Sequence, residues 1–208
     1  MKKSIFVLIA VIIIAFATVV ACGQNKSDNS GSSSQIDESE ENIEPTDAKW
    51  FKFTLLDDGS GYSIAKCDDY NQETYPTEIV IPKTYNTKPV TTLEESAFYY
   101  CENLTDITIP GGITSIGNGA FSFCSNLINV SIPNSVTNIG EYAFNYCESL
   151  TNLIIPSSVT SIGKYAFYEC NSLTSITIPK NVTRIEDGTF SRCVSLTSVT
   201  IPNSVTSI

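Results

Sequence analysis

The chain has 208 residues, with 22 acidic against 12 basic side chains, a formal net charge of −10 and no histidine. That balance makes nucleic acid and anionic bilayer surfaces poor electrostatic partners. Without histidine, the usual general base and the commonest metal ligand are both missing.

Lys2 and Lys3 precede an uncharged stretch over residues 4–21, and Val19-Val20-Ala21 lead into Cys22. The pattern predicts an export signal over residues 1–21. The VVAC ending resembles the lipobox of bacterial lipoproteins. That resemblance implies cleavage before Cys22, diacylglycerol on its sulfur, and attachment of the exported protein to a lipid bilayer through that residue. More than one acyl chain would make the anchor stable. An ordinary signal peptide or an uncleaved anchor helix is the alternative. Residues 23–49 are polar and carry seven acidic side chains against Lys26 and Lys49. Residues 22–49 are therefore expected to form a lipidated, disordered tether that holds the remainder away from the bilayer.

Residues 50–103 read as an N-terminal cap and an irregular first coil. WFKFTLLDDGSGYSIAKC predicts two strands around Asp57-Asp58-Gly59-Ser60-Gly61. The two aspartates read as turn chemistry, since the rest of a calcium loop is missing. Glu78-Ile79-Val80-Ile81-Pro82 is a degenerate repeat strand, followed by five extra residues assigned to a loop around residues 83–89. The hairpin and this coil are expected to shield the first edge of a sheet.

Residues 104–208 repeat every 23 positions as four full coils (104–126, 127–149, 150–172, 173–195) and a partial one (196–208). Phe98, Phe121, Phe144, Phe167 and Phe190 keep the period, as do Cys101, Cys124, Cys147, Cys170 and Cys193. In the coil LTNLIIPSSVTSIGKYAFYECNS, Thr151–Ile155 predicts a strand with one face inward. Pro156 has no N–H for a ladder and turns the corner. Val159 and Ile162 point inward from the next wall, and Ala166, Phe167 and Cys170 fit a short helical or 3₁₀ segment. Glu94 and Glu186 replace Gly163 in other coils, so that glycine reads as a preference of its turn. One coil supplies too few inward groups for a core, but stacking at roughly 4.8 Å joins them into apolar ladders. The period predicts a leucine-rich-repeat solenoid, with a parallel sheet on one face and turns with short helical segments on the other. The interrupted last period, with no cap, predicts an incomplete product.

The coil L-x-x-[ILV]-x-I-P-x-x-V-x-x-I-x-x-x-A-F-x-x-C resembles the bacterial surface antigen (BspA-like) leucine-rich-repeat family, from about Trp50 onward. The resemblance implies a surface-exposed or secreted protein, and some members act as adhesins for host matrix proteins or other cells.

The repeat cysteines should lie parallel at one coil spacing, which suits neither a tetrahedral metal centre nor disulfide torsions. They read as buried thiols beside the Phe ladder, whereas Cys67 is out of register and its state is open. No serine or threonine has an activating base, so neither catalysis nor a cofactor is expected. Two surfaces could bind. Outward strand positions Asp106/Thr108, Asn129/Ser131, Asn152/Ile154, Ser175/Thr177 and Ser198/Thr200 predict a flat polar sheet, of a kind that engages proteins or is simply solvated. The second is aromatic: Tyr100, Phe123 and Tyr146 form one column and Tyr142 and Tyr165 another, with Tyr99 and Tyr168 nearby. These rings either flatten against the turns and close the core, or form a contact site for protein or sugar. Glu169 and Arg192 should confine any such patch to the first three coils. The reading is thus a lipid-anchored, non-catalytic surface protein that binds a protein ligand, host matrix or another cell surface. A carbohydrate-binding or purely structural module is the alternative, and nucleic acid is not expected as a partner.

Overall fold

Phe98, Phe121, Phe144, Phe167 and Phe190 stand in one column, their ring centres 5.2 to 5.6 Å apart and nearly coplanar in orientation. This column fixes the architecture, because each ring comes from a different coil of the stack. The computed structural model describes residues 21–22, 44–66, 68 and 74–208. The export-signal and tether readings over residues 1–20 and 23–43, and Cys67, lie outside the described residues. No helix among the described residues is long and apolar enough to cross a membrane.

In chain order the strands are β1 Ala21–Cys22, β2 Phe51–Leu55, β3 Tyr62–Lys66, β4 Glu78–Val80, β5 Thr84–Tyr85, β6 Lys88–Leu93 and β7 Asp106–Thr108. They continue as β8 Ser115–Ile116, β9 Asn129–Ser131, β10 Asn138–Ile139, β11 Ser161–Ile162, β12 Ser175–Thr177 and β13 Ser198–Thr200. Each repeat has three walls. The first holds β4, β7 and β9 in parallel register, then β12 with β13. On the second, β8, β10 and β11 run parallel and continue a mixed sheet that begins in the cap, β1-β2-β3-β6. The predicted hairpin is present as β2 and β3, and it covers the edge of this second wall. The edge of the first wall is covered differently: Thr46 donates its N–H to the Val80 carbonyl and accepts from the Val80 N–H through its hydroxyl.

The third wall differs from expectation. Residues 164–169 are consecutive turns, and no helical segment forms around Ala166, Phe167 and Cys170. Backbone N–H groups here alternate between two destinations. Those of Tyr142, Phe144 and Tyr146 donate to the carbonyls of Lys164, Ala166 and Tyr168 in the next coil. Those of Asn145 and Cys147 donate back to Tyr142 and Phe144 within their own coil. The same alternation recurs up the stack, so the wall is a ladder built from turns. A helix would spend all these donors locally, leaving none to join coils.

Other details also differ. The first-wall strands are three residues long, and in the coil 150–172 only Asn152 bridges, to Ser175. Residues 83–89 belong to a hairpin, β5 against β6, turned by Asn86 and Thr87 at positive φ. The strand bonds of the first wall stop between β9 and Asn152, and nothing in the structure explains that break. On the second wall they stop between β11 and Arg184, which bridges onward to Ser207 instead.

That second break falls where the glycine of the repeat is replaced by Glu186. Gly117, Gly140 and Gly163 have no left-handed φ, yet a Cβ on any of them would lie within 2.4 to 2.7 Å of the backbone of the coil beneath or a side chain held there. Close approach of stacked backbone therefore requires glycine, which corrects the turn-preference reading. Glu186 occupies that slot above Gly163, at the level where the strand bonds stop. The resulting groove is lined by Asn138, Ser161, Gly163, Lys164 and Glu186.

The thiols are integrated into the core. Cys124, Cys147, Cys170 and Cys193 each donate to the carbonyl of the ladder phenylalanine one coil back, at 3.0 to 3.2 Å. Burial pushes the Cys124, Cys147 and Cys170 thiols well above their ordinary range. Cys101 moves the other way, chiefly through its interaction with the neighbouring Cys124 side chain. Only thiolate reacts readily with an alkylating reagent. Peptide-resolved labelling of the folded protein at neutral pH should therefore modify Cys101 first and leave Cys124, Cys147 and Cys170 protected. Uniform labelling of the ladder would show that it is open.

Candidate functional site

Ten residues of the third wall adopt left-handed backbone at two fixed positions per coil. One position holds Ser96, Gly119, Tyr142, Tyr165 and Gly188, with φ between 55° and 65°. The other holds Tyr100, Phe123, Tyr146, Glu169 and Arg192, with φ between 57° and 62°. For a residue with a Cβ this costs about 1–2 kcal/mol, and for a bulky one it is rare. The ladder imposes it, because N–H groups at both positions reach into the next coil, as Tyr142 does to Lys164 and Tyr146 to Tyr168. Glycine satisfies the requirement at 119 and 188. Five of the ten positions instead carry aromatic rings, which the backbone itself does not ask for.

The predicted residues Tyr100, Phe123 and Tyr146 do form a column. Phe123 stacks on Tyr146 with ring centres 4.7 Å apart and an 8° interplanar angle, and Tyr100 tilts against Phe123 at 5.8 Å. Tyr142 stacks on Tyr165 at 5.1 Å. The two columns are not separate. Tyr168 meets Tyr146 at 5.6 Å and Tyr165 at 5.8 Å, and Tyr99 contacts both Tyr100 and Phe123. The rings therefore make one connected strip that runs on into the coil 150–172, beyond the coils of Tyr100, Phe123 and Tyr146 to which it was expected to be confined. Tyr168 carries it across the point where Glu169 interrupts its column. The rings do not lie flat as a lid: Tyr99, Tyr100 and Tyr142 are 43%, 44% and 42% exposed.

Polar groups edge the strip. Glu169 and Arg192 pair at 2.8 Å, and the Arg192 guanidinium sits 5.7 Å from the Tyr168 ring centre. Lys164 pairs with Asp187 at 3.1 Å. Desolvation, with Tyr168 and Glu169 close by, raises the Tyr146 phenol above its ordinary range. Behind the rings, Ser122 and Asn145 are buried, and Asn145 Nδ2 donates to Ser122 Oγ. The period could have disclosed the left-handed positions, since it aligns Gly119 and Gly188 with Tyr142 and Tyr165.

The hydroxyl surface is less coherent than expected. Thr108, Asn129 and Ser131 share one sheet, where Asn129 Nδ2 donates to Asp106 Oδ1 at 2.6 Å. Thr177 lies on the separate β12–β13 sheet, and Asn152 bridges only to that side. Between them Ile154 is 83% exposed where other coils have Thr or Ser. Of Cys22 the structure gives only its backbone place in β1, opposite Lys52.

Stacked coils with three hydrogen-bonded walls and a shared spine of Phe, Ile, Leu and Cys define a leucine-rich-repeat solenoid. Residues 91–208 match the BspA type leucine rich repeat region in six copies, and the chain belongs to that family. Among solved structures it is similar to a leucine rich repeat protein of T. pallidum, with 31% identity and a TM-score of 0.72, over 76% of this chain and 72% of that one. It shares the fold of the pneumococcal vaccine antigen PcpA at 22% identity and a TM-score of 0.53, over 77% of this chain and 36% of that one. Among curated proteins nothing matches.

Proposed function

We propose that this is a lipid-anchored protein displayed at the cell surface, whose solenoid binds a protein ligand through the tyrosine strip without catalysing a reaction. The observation that carries the reading is the strip itself: connected, half-exposed rings placed where the backbone would accept glycine. Exposed aromatic clusters of this kind are typical anchors of protein contacts. Sealed thiols and the lack of any histidine fit a binding role, and the family provides interaction surfaces rather than active sites. The VVAC sequence at Cys22 supports the anchor.

Ring geometry favours protein over glycan. Sugars dock on open aromatic faces, whereas Phe123 stacks on Tyr146 and Tyr142 on Tyr165, which occupies a face of each of these four rings. The test is binding of the full chain to immobilised extracellular-matrix proteins and to a glycan array. The variant Tyr100→Asn/Phe123→Asn/Tyr146→Asn is suitable because asparagine tolerates left-handed backbone. Protein binding should weaken about tenfold or more in that variant, and Cys22→Ala should release the chain from the membrane fraction. Binding to glycans alone, or protein binding indifferent to the three rings, would refute the reading.

A further inference from the structure

Charge is distributed unevenly along the stack. Residues 91–149 carry six acidic side chains and no basic one, whereas residues 150–208 carry four basic and three acidic ones. The column beside the tyrosine strip shows the same polarity. Glu95, Asn118, Glu141, Lys164 and Asp187 follow one another at the repeat spacing, and all five are exposed. Glu141 has no ion pair among the described residues. Lys164 gives one of its three ammonium donors to Asp187.

The strip itself changes character at the same level. Its column presents rings at Phe123 and Tyr146, then Glu169 and Arg192 in the next two coils. Arg192 donates through Nη1 to Glu169, and its side chain remains 64% exposed.

A surface whose two halves differ in this way is complementary to its own inverted copy. A twofold axis lying across the strip, between the levels of Tyr142 and Tyr165, reverses the stacking direction and keeps each column facing itself. Positions then meet in pairs counted outward from the axis. Glu141 of one copy meets Lys164 of the other, and Asn118 meets Asp187. In the ring column Tyr146 meets Glu169, a hydroxyl donor against a carboxylate. Phe123 meets Arg192, whose guanidinium already lies near the Tyr168 ring within its own chain. Symmetry makes each contact twice, and Tyr142, 42% exposed, sits at the centre. Shifted by half a coil in either direction, the axis would set Glu141 or Lys164 against its own copy.

We propose that the tyrosine strip takes as its protein ligand a second copy of this chain, bound antiparallel about that axis. This rests on the strip being the contact surface. The net charge of −10 on each copy opposes association, but such repulsion is screened beyond about 8 Å at physiological salt, whereas the facing pairs lie within that distance. The β2–β3 hairpin lies at one end of the stack, and the tether read from residues 22–49 leads into it. An antiparallel pair therefore carries its tethers at opposite ends and joins copies anchored in facing membranes.

The test measures the mass of the full chain carrying Cys22→Ala by sedimentation velocity, with Glu141→Lys and Lys164→Glu in the same background. The parent should be a concentration-dependent dimer. Each swap puts two like-charge contacts into the interface and should weaken dimerisation about tenfold or more. An equimolar mixture of the two variants should restore it, because each then meets the opposite charge at both positions. Rescue by mixing also excludes misfolding as the cause of the loss. Phosphatidylcholine vesicles displaying the acylated chain should cluster, vesicles bearing either variant alone should not, and vesicles of the two variants should cluster with each other. A monomeric parent, swaps without effect, or a mixture that stays monomeric would overturn the proposal. Dimers in solution without vesicle clustering would overturn the facing-membrane arrangement. If the parent is monomeric while matrix-protein binding still depends on Tyr100, Phe123 and Tyr146, this inference falls and the function proposed above stands. If neither self-association nor matrix-protein binding depends on those rings, both fall.

Discussion

Replacing Phe144 by alanine is expected to lower the unfolding free energy by about 3–5 kcal/mol, the usual range for a buried phenylalanine whose cavity cannot collapse. Phe144 is fully buried and sandwiched between Phe121 at 5.2 Å and Phe167 at 5.6 Å. Its carbonyl accepts both the Cys147 N–H and the Cys170 thiol, so the backbone at that point is held by two coils and cannot sink into the void. Against a total stability of about 5–15 kcal/mol for a domain, a loss of this size brings the transition close to ambient temperature. Phe190 provides the internal comparison. It is only partly buried and has one ladder neighbour, Phe167 at 5.6 Å, so Phe190→Ala should cost about half as much or less. Urea unfolding followed by circular dichroism separates the two. Equal losses would mean that the rings are not coupled along a common column.

The Phe and Cys ladders were legible because inward positions are constrained the same way in every coil, and a fixed period displays that constraint directly. What was not legible came from places where two structures satisfy one pattern. Ala166, Phe167 and Cys170 sit at spacings that a helix would also bury, and only the coil-to-coil destination of alternate N–H groups decides for turns. Five extra residues after Pro82 are as compatible with a loop as with the β5–β6 hairpin, whose Asn86 and Thr87 turn is a weak signal. At the candidate site the difficulty was different. Tyrosine is a poor guess for left-handed backbone, so the rings of Tyr142 and Tyr146 concealed the turn they occupy, and with it the strip's path through Tyr168.

Gly163→Ala should destabilise the solenoid by about 2–4 kcal/mol, although it adds a single methyl group at ordinary backbone angles. The new Cβ would lie 2.4 Å from the Glu141 nitrogen and 2.6 Å from the Gly140 carbonyl carbon, and neither is a flexible group. The coil must lift, lengthening the bonds from Gly163 N to Ile139 O and from Thr160 N to Thr137 O, both now 2.9 Å. Two weakened hydrogen bonds at about 1 kcal/mol each, together with overpacking strain of about 1–3 kcal/mol, set the range. Gly119→Ala makes the contrast: φ is +59° there and the nearest atom is 3.6 Å away, so only the left-handed penalty of about 1–2 kcal/mol applies. Glu186→Gly is the same argument reversed. Without that side chain the fourth coil should settle on the third, allowing the residue-186 N–H to reach the Ile162 carbonyl as Gly163 reaches Ile139. Glycine's extra freedom in the unfolded chain offsets part of the gain, leaving about 0.5 kcal/mol. Hydrogen exchange is the sharper readout, since the amides of Thr183 and residue 186 should become protected. Unchanged stability in Gly163→Ala, with exchange at Thr183 as fast in Glu186→Gly as before, would remove close backbone approach as the reason glycine recurs in that slot.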